Sequence, residues 1–118
     1  MANMKLGLVE ARFANLIWDN EPVSSGELVK RCEQELRWKK STTYTILRRL
    51  CQRGIFSNDK GTVTSLISRD EFYGIQSEEF VAEAFGGSLP RFLTAFSRRR
   101  KLSDDEINAL QRLIDEMR

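Results

Sequence analysis

The sequence predicts a mainly α chain with one small β-hairpin, three helices before the hairpin and three after it. Two observations carry this. Apolar residues recur at steps of three and four along most of the 118 residues, the spacing that gathers them on one face of a helix. The stretch that departs from it is Ile55–Ile67, where β-branched, partly alternating flanks enclose the turn-forming string Asn58-Asp59-Lys60-Gly61.

Each element has its own signal. Leu6, Val9, Phe13, Leu16 and Ile17 form the apolar stripe of a first helix from Leu6 to Trp18, ended by Asp19-Asn20-Glu21-Pro22. Ser24 and Glu27 fit a capping box that opens a second helix, with Leu28, Val29, Cys32 and Leu36 on one face. The basic connection Arg37-Trp38-Lys39-Lys40 leads to a third helix, which starts at Lys40 or Ser41 and stops at Gly54. After the hairpin, Phe72, Tyr73, Ile75, Phe80, Val81, Ala84 and Phe85 lie along a helix from about Arg69 to Phe85, broken by Gly86-Gly87. Ser88-Leu89-Pro90 starts the next, with proline in its first turn and Phe92, Leu93 and Phe96 as its apolar face. Arg98-Arg99-Arg100-Lys101 reads as a basic connector, solvated or else touching flanking phosphates or an acidic patch. Ser103 and Glu106 frame a second capping box, and the last helix carries Ile107, Leu110, Leu113, Ile114 and Met117.

Helix–helix–helix–hairpin is the order of a winged helix-turn-helix, whose third helix enters the DNA major groove with the hairpin beside it. The expected organisation is a winged helix-turn-helix DNA-binding domain over residues 1–68 and a helical dimerisation domain over 69–118.

Composition narrows the function. Hydrophobic residues make up 41% and charged residues 31% of the chain, a balance suited to a soluble globular protein rather than a disordered one. No apolar run approaches the roughly 18 residues that span a bilayer, and Met1–Lys5 lacks the features of a signal peptide, so a cytoplasmic location is expected. Cys32 and Cys51 fall in helical segments and read as small buried hydrophobes in a reducing compartment. With two Cys and no His, the ligand set of a zinc site is missing. The lack of His also removes the commonest general base and the Ser–His and Cys–His nucleophile pairs. Asp104-Asp105-Glu106 opens a helix, where negative charge offsets the helix dipole. Neither an enzyme nor a cofactor is expected.

Net charge is only +2, but it is unevenly placed. Residues 1–67 hold 11 basic and 7 acidic residues, whereas 68–118 hold 8 basic and 10 acidic. Arg37, Lys39, Lys40, Arg48, Arg49 and Arg53 lie in one acid-free block across the turn and third helix, a candidate phosphate-binding surface. At 100° per residue, Thr43, Ile46, Leu47 and Leu50 share the buried face of that helix, with Cys51 at its edge. Ser41, Thr45, Arg48 and Gln52 lie opposite; Tyr44 takes one flank and Thr42 and Arg49 the other. Short hydroxyls at the start suit base edges, long cations suit phosphates, and the helix start adds outward N–H groups. Ser41 serves as cap, DNA contact or both; Tyr44 as phosphate ligand or packing; Arg49 as structural ion pair or DNA contact. Lys39 and Lys40 fall where a strand backbone would pass.

At these residues the sequence resembles the penicillinase-repressor family, which includes methicillin-resistance and copper-responsive repressors. The resemblance spans nearly the whole chain. It is carried by Leu6–Glu10 and Ile17-Trp18, by Thr42-Thr43-Tyr44-Thr45-Ile46-Leu47-Arg48-Arg49-Leu50 and Gly54, and by Phe85-Gly86-Gly87-Ser88 and Leu102-Ser103 with Glu106-Ile107. It implies a homodimeric repressor that binds a palindromic operator through its N-terminal winged helix and dimerises through its C-terminal helices. For the antibiotic-responsive members it also implies a membrane sensor-protease as partner and cleavage within the dimerisation region. Those members are cut between Asn and Phe; the matching pair here is Ala95-Phe96. Where the family often has Arg after the wing turn and Tyr near the wing's end, this chain has Thr62 and Leu66, so Lys60 is the wing's one cation. Its tail also lacks the cysteines of the copper-responsive members.

Phe80, Phe85, Leu89, Phe92, Leu93, Phe96, Leu102, Ile107, Leu110, Leu113 and Ile114 exceed what three short helices can bury alone, so a second copy is expected to cover them, the alternative being a tail folded back on its own winged helix. Expected partners are therefore double-stranded operator DNA, a second copy of the chain and, by resemblance, a membrane sensor-protease, with no small-molecule ligand. The alternatives are a winged helix used as a protein–protein interaction module and a regulator with a small molecule among the tail aromatics.

Overall fold

The computed structural model describes residues 5–118. The start of the chain, on which the lack of a signal peptide was read, lies outside the described residues apart from Lys5. The elements are α1 (Leu8–Asn20), β1 (Val23–Ser24), α2 (Ser25–Leu36), α3 (Lys40–Gln52), β2 (Phe56–Asp59), β3 (Thr62–Ser65), α4 (Arg69–Phe85), α5 (Leu89–Arg99) and α6 (Asp104–Glu116). The six expected helices and the hairpin are present. The chain divides into two compact units, one ending at Ser77 and one comprising Glu78–Arg118.

In the first unit, helices α1 to α3 and the start of α4 enclose one core with the sheet. Phe13, Ala14 and Ile17 of α1 meet Leu28 and Cys32 of α2, Leu47 and Leu50 of α3, and Ile55, Phe56, Val63 and Phe72, all buried. Trp18 seals one side: its ring lies 5.2 Å from Phe56 and 5.6 Å from Phe72, and its Nε1–H donates to the Ile67 carbonyl at 3.1 Å. Val9, expected on the apolar stripe, is instead 52% exposed. It stands in the first turn of α1, one turn before the core begins at Phe13.

The hairpin β2–β3 closes through Lys60-Gly61, with Asp59 opposite Thr62. Both loop residues have positive φ, 51° and 88°, the two-residue turn whose twist matches that of its strands. The Asn58 Oδ1 accepts the Gly61 N–H at 3.1 Å. β1 is a strand the sequence did not announce; it pairs antiparallel with β3, Val23 opposite Val63 and Ser24 opposite Thr62, giving the order β1-β3-β2. Two further contacts fix the wing: Ser25 N–H donates to the Gly61 carbonyl at 2.8 Å, and the Glu21 carboxylate accepts from the Ser65 N–H and hydroxyl at 2.8 and 2.7 Å.

In the second unit, Gly86 and Gly87 both take positive φ and end α4, and the Ser88 hydroxyl caps α5 by accepting the Arg91 N–H at 3.2 Å. The Ser103–Glu106 capping box at α6 is complete. Rings of Phe80, Phe85, Phe92 and Phe96 form a continuous chain with centroid spacings of 5.9, 5.6 and 6.3 Å. No residue of α5 or α6 is fully buried. The basic string expected as a connector is split. Arg98 and Arg99 belong to the last turn of α5, where cations favour the helix dipole. Arg100 is pinned to Glu106 by two hydrogen bonds of 2.9 and 2.7 Å and lies 5.0 Å above the Phe96 ring.

Candidate nucleic-acid interface

The turn between α2 and α3 sets the angle at which α3 is displayed. Arg37 adopts the left-handed conformation that ends α2, φ 57°, and donates its N–H to the Cys32 carbonyl. The next N–H, of Trp38, reaches the same carbonyl at 3.2 Å, and the Trp38 ring packs 5.3 Å from Phe13. A half-buried tryptophan thus ties the turn to α1, and Lys39 and Lys40 emerge into solvent directly after it.

No side chain caps α3, and its first turn holds no acid. Its leading N–H groups have no intrahelical acceptor and carry the positive end of the helix dipole. Along the helix the expected faces separate as the angular spacing requires. Thr43, Leu47 and Leu50 are buried, with Ile46 and Cys51 half-buried beside them. Ser41, Thr42, Thr45, Arg48, Arg49 and Gln52 are exposed. The Thr45 hydroxyl donates to the Ser41 carbonyl at 2.9 Å, so its oxygen remains an acceptor. Tyr44 is half-buried on the wing side and donates its hydroxyl to the Ser25 Oγ at 3.3 Å, a packing role that leaves its oxygen able to accept.

Between α3 and the wing lies a hollow of about 200 Å³ lined by Tyr44, Leu47, Arg48, Cys51 and Asn58. Arg48 stands at its edge and, among the described residues, forms no ion pair. Burial pushes the Cys51 and Cys32 thiols up, so neither is poised as a thiolate. On the opposite flank Arg49 lies 3.9 Å from the Glu10 carboxylate, which also lies 3.8 Å from Arg53. The role of Glu10 is not readable from sequence, where it is one polar residue within the first helix; in the structure it is the third residue of α1. Lys60 is exposed at the wing tip with Thr62 beside it, and Leu66, just past the far end of β3, is 63% exposed. Within the first unit, Lys39, Lys40, Ser41, Thr42, Tyr44, Thr45, Arg48 and Arg49 are thus gathered on the turn and α3, and Lys60 stands apart on the wing.

In the second unit a groove of about 390 Å³ runs between α5 and α6. It is walled by Phe92, Leu93, Phe96, Leu102, Leu110 and Leu113, with Arg100 and Glu106 at its rim. Phe80, Leu89, Ile107 and Ile114 are exposed and Phe85 half-buried. Ala95 and Phe96 lie inside α5, Ala95 half-buried and Phe96 40% exposed. Among the described residues no group of acidic or cysteine side chains is placed to hold a metal, and no helix is long and apolar enough to cross a membrane.

Three helices around a small sheet, with a basic, hydroxyl-bearing third helix beside a hairpin, define a winged-helix protein. The chain belongs to the penicillinase repressor family, whose profile matches residues 6–116. Among relatives, the penicillinase repressor of Bacillus licheniformis is 26% identical over 111 residues, covering 91% of this chain and 87% of its own. The methicillin resistance regulatory protein MecI of Staphylococcus aureus is 22% identical over 94% of each chain. The penicillinase repressor of Staphylococcus aureus is 23% identical over 99% of this chain and 98% of its own. Membership places the chain among transcriptional repressors.

Proposed function

We propose that the chain is a cytoplasmic, homodimeric repressor that binds a palindromic operator by laying α3 in the major groove with the wing alongside. The observation that carries this is the two-faced α3: Thr43, Leu47 and Leu50 fully inside, Ser41, Thr45, Arg48 and Gln52 fully outside, with an open, acid-free helix start. Ser41, Thr42 and Thr45 sit where short polar side chains meet base edges. Lys39, Lys40 and the α3 N–H groups meet one strand backbone, Tyr44 and Arg48 lie on the wing side, and Lys60 reaches a flanking phosphate.

The second unit supplies the dimer. Leu93, Leu102, Leu110 and Leu113 line a groove that one chain leaves open, and Phe80, Leu89, Phe96, Ile107 and Ile114 add exposed apolar surface on the same unit. A second copy presenting the same surface covers both, and two tethered half-site contacts then reinforce one another. Separation of the protomers by a signal releases the operator. If that signal is a membrane sensor-protease acting at Ala95-Phe96, α5 must first open, because the bond lies inside that helix.

Thr45→Ala and Arg48→Ala test the assignment. Each is expected to weaken operator binding in a mobility-shift titration, Arg48→Ala by about 1–3 kcal/mol, with unchanged circular dichroism and unchanged sedimentation. Parent-like binding by both variants refutes the face assignment.

A further inference from the structure

Glu10 sits beside the α3 face, and the proposed DNA contacts leave its pairing with Arg49 and Arg53 without a role. One carboxylate oxygen accepts the Gly7 N–H at 3.1 Å, which fixes the side chain at the start of α1. The other lies 3.9 Å from the Arg49 Nη1 and 3.8 Å from the Arg53 Nη1, and Arg53 also donates to the Lys5 carbonyl. The Glu10 side chain is 24% exposed, that of Arg49 55%. We propose that Glu10 is a counter-charge that withholds Arg49 from DNA phosphates and so limits the general grip of the protein on DNA. The inference rests on the DNA-binding reading of α3 and adds a positioning residue to it.

Three features argue for it. First, the carboxylate is held in place by the helix cap, so the pair does not require freezing two free side chains, the usual weakness of surface ion pairs. Second, Arg49 occupies the α1 flank of α3, while Arg48 and Tyr44 occupy the flank that borders the wing hollow. The two arginines are adjacent in sequence yet differ in surroundings: Arg48 forms no ion pair among the described residues, whereas Arg49 faces an acid. Third, a phosphate approaching Arg49 also approaches Glu10, so the pairing opposes the contact twice, by occupying the cation and by repelling the anion.

The test is the salt dependence of binding to a random-sequence duplex of fixed length. Phosphate contacts carry no sequence information, and each contributes about −0.9 to the slope of log Kobs against log salt. Glu10→Gln keeps a capping side chain, because glutamine also serves at that position, but removes the charge. It is expected to steepen the slope by about one unit and to tighten binding to random and promoter DNA alike, leaving their ratio unchanged. Arg49→Gln is expected to leave the parent slope as it is and to cancel the gain when combined with Glu10→Gln. A Glu10→Gln slope equal to the parent's, or a parent slope that falls by one unit on Arg49→Gln, overturns the inference. If the parent itself binds no duplex at low salt, the DNA-binding reading fails and the inference falls with it; salt-dependent binding by the parent with an unmoved Glu10→Gln slope refutes the counter-charge alone.

Discussion

Lys60 holds a backbone conformation unfavourable to its side chain at the exposed tip of the wing, where the proposed interface gives it a phosphate contact. At the wing tip it holds φ 51°, a left-handed conformation that costs an ordinary L-residue about 1 kcal/mol. Asparagine enters that conformation readily and, before Gly61, makes the preferred two-residue hairpin loop. Lys60→Asn should therefore raise thermal or denaturant stability by up to about 1 kcal/mol while flattening the salt slope of DNA binding by about one phosphate contact. A variant that is less stable than the parent contradicts the turn assignment; one with an unchanged slope removes Lys60 from the interface. Arg48 and Arg49, neighbours in sequence, differ in surroundings: Arg48 borders the wing hollow and forms no ion pair among the described residues, whereas Arg49 faces Glu10.

At the scale of elements, α6 carries a titratable contact within its own capping box. The Glu106 carboxyl is held down to about 2 from its ordinary 4.5, first by the two hydrogen bonds from Arg100 and next by the Ser103 N–H. Because the folded value is the lower one, the stabilisation is fully present above pH 4.5 and is lost as pH falls toward 2. Helix content followed by circular dichroism should fall over that window, and Glu106→Gln should remove this part of the pH dependence. A profile identical in parent and variant excludes the Arg100–Glu106 pair as its cause. Local rules made such elements legible in the sequence. Ser24, Ser88 and Ser103 each cap the helix they precede, since a cap needs only residues three apart. β1 was not legible, because two residues carry no period and Val23 becomes a strand only by meeting Val63. The pairing of Glu10 with Arg49 and Arg53 was hidden for the same reason: it joins α1 to α3 through tertiary packing, which no local spacing encodes. The exposed and buried faces of α3 were readable because a helix of 13 residues converts spacing directly into angle.

For the molecule as a whole, the two units differ in packing: the first has a closed core, and the second leaves apolar surface open. The first unit buries Phe13, Phe56 and Phe72 completely, while α5 and α6 bury no residue fully. Leu113, on the groove wall and 48% exposed, is expected to lie at the dimer contact. Leu113→Asp should shift sedimentation from dimer to monomer at micromolar concentration and weaken operator binding by more than tenfold through loss of the tethered second half-site, with the winged-helix unit still folded. A variant that remains dimeric places the contact elsewhere.

On the proposed reading, α3 and its wing recognise a specific DNA sequence through a phosphate-anchored grip. This is tested most directly by titrating salt during binding to duplex from the protein's own promoter region, against random duplex of equal length. Preference for the promoter duplex is expected, with affinity for both falling steeply as salt rises. Absence of binding to either duplex at low salt would contradict it.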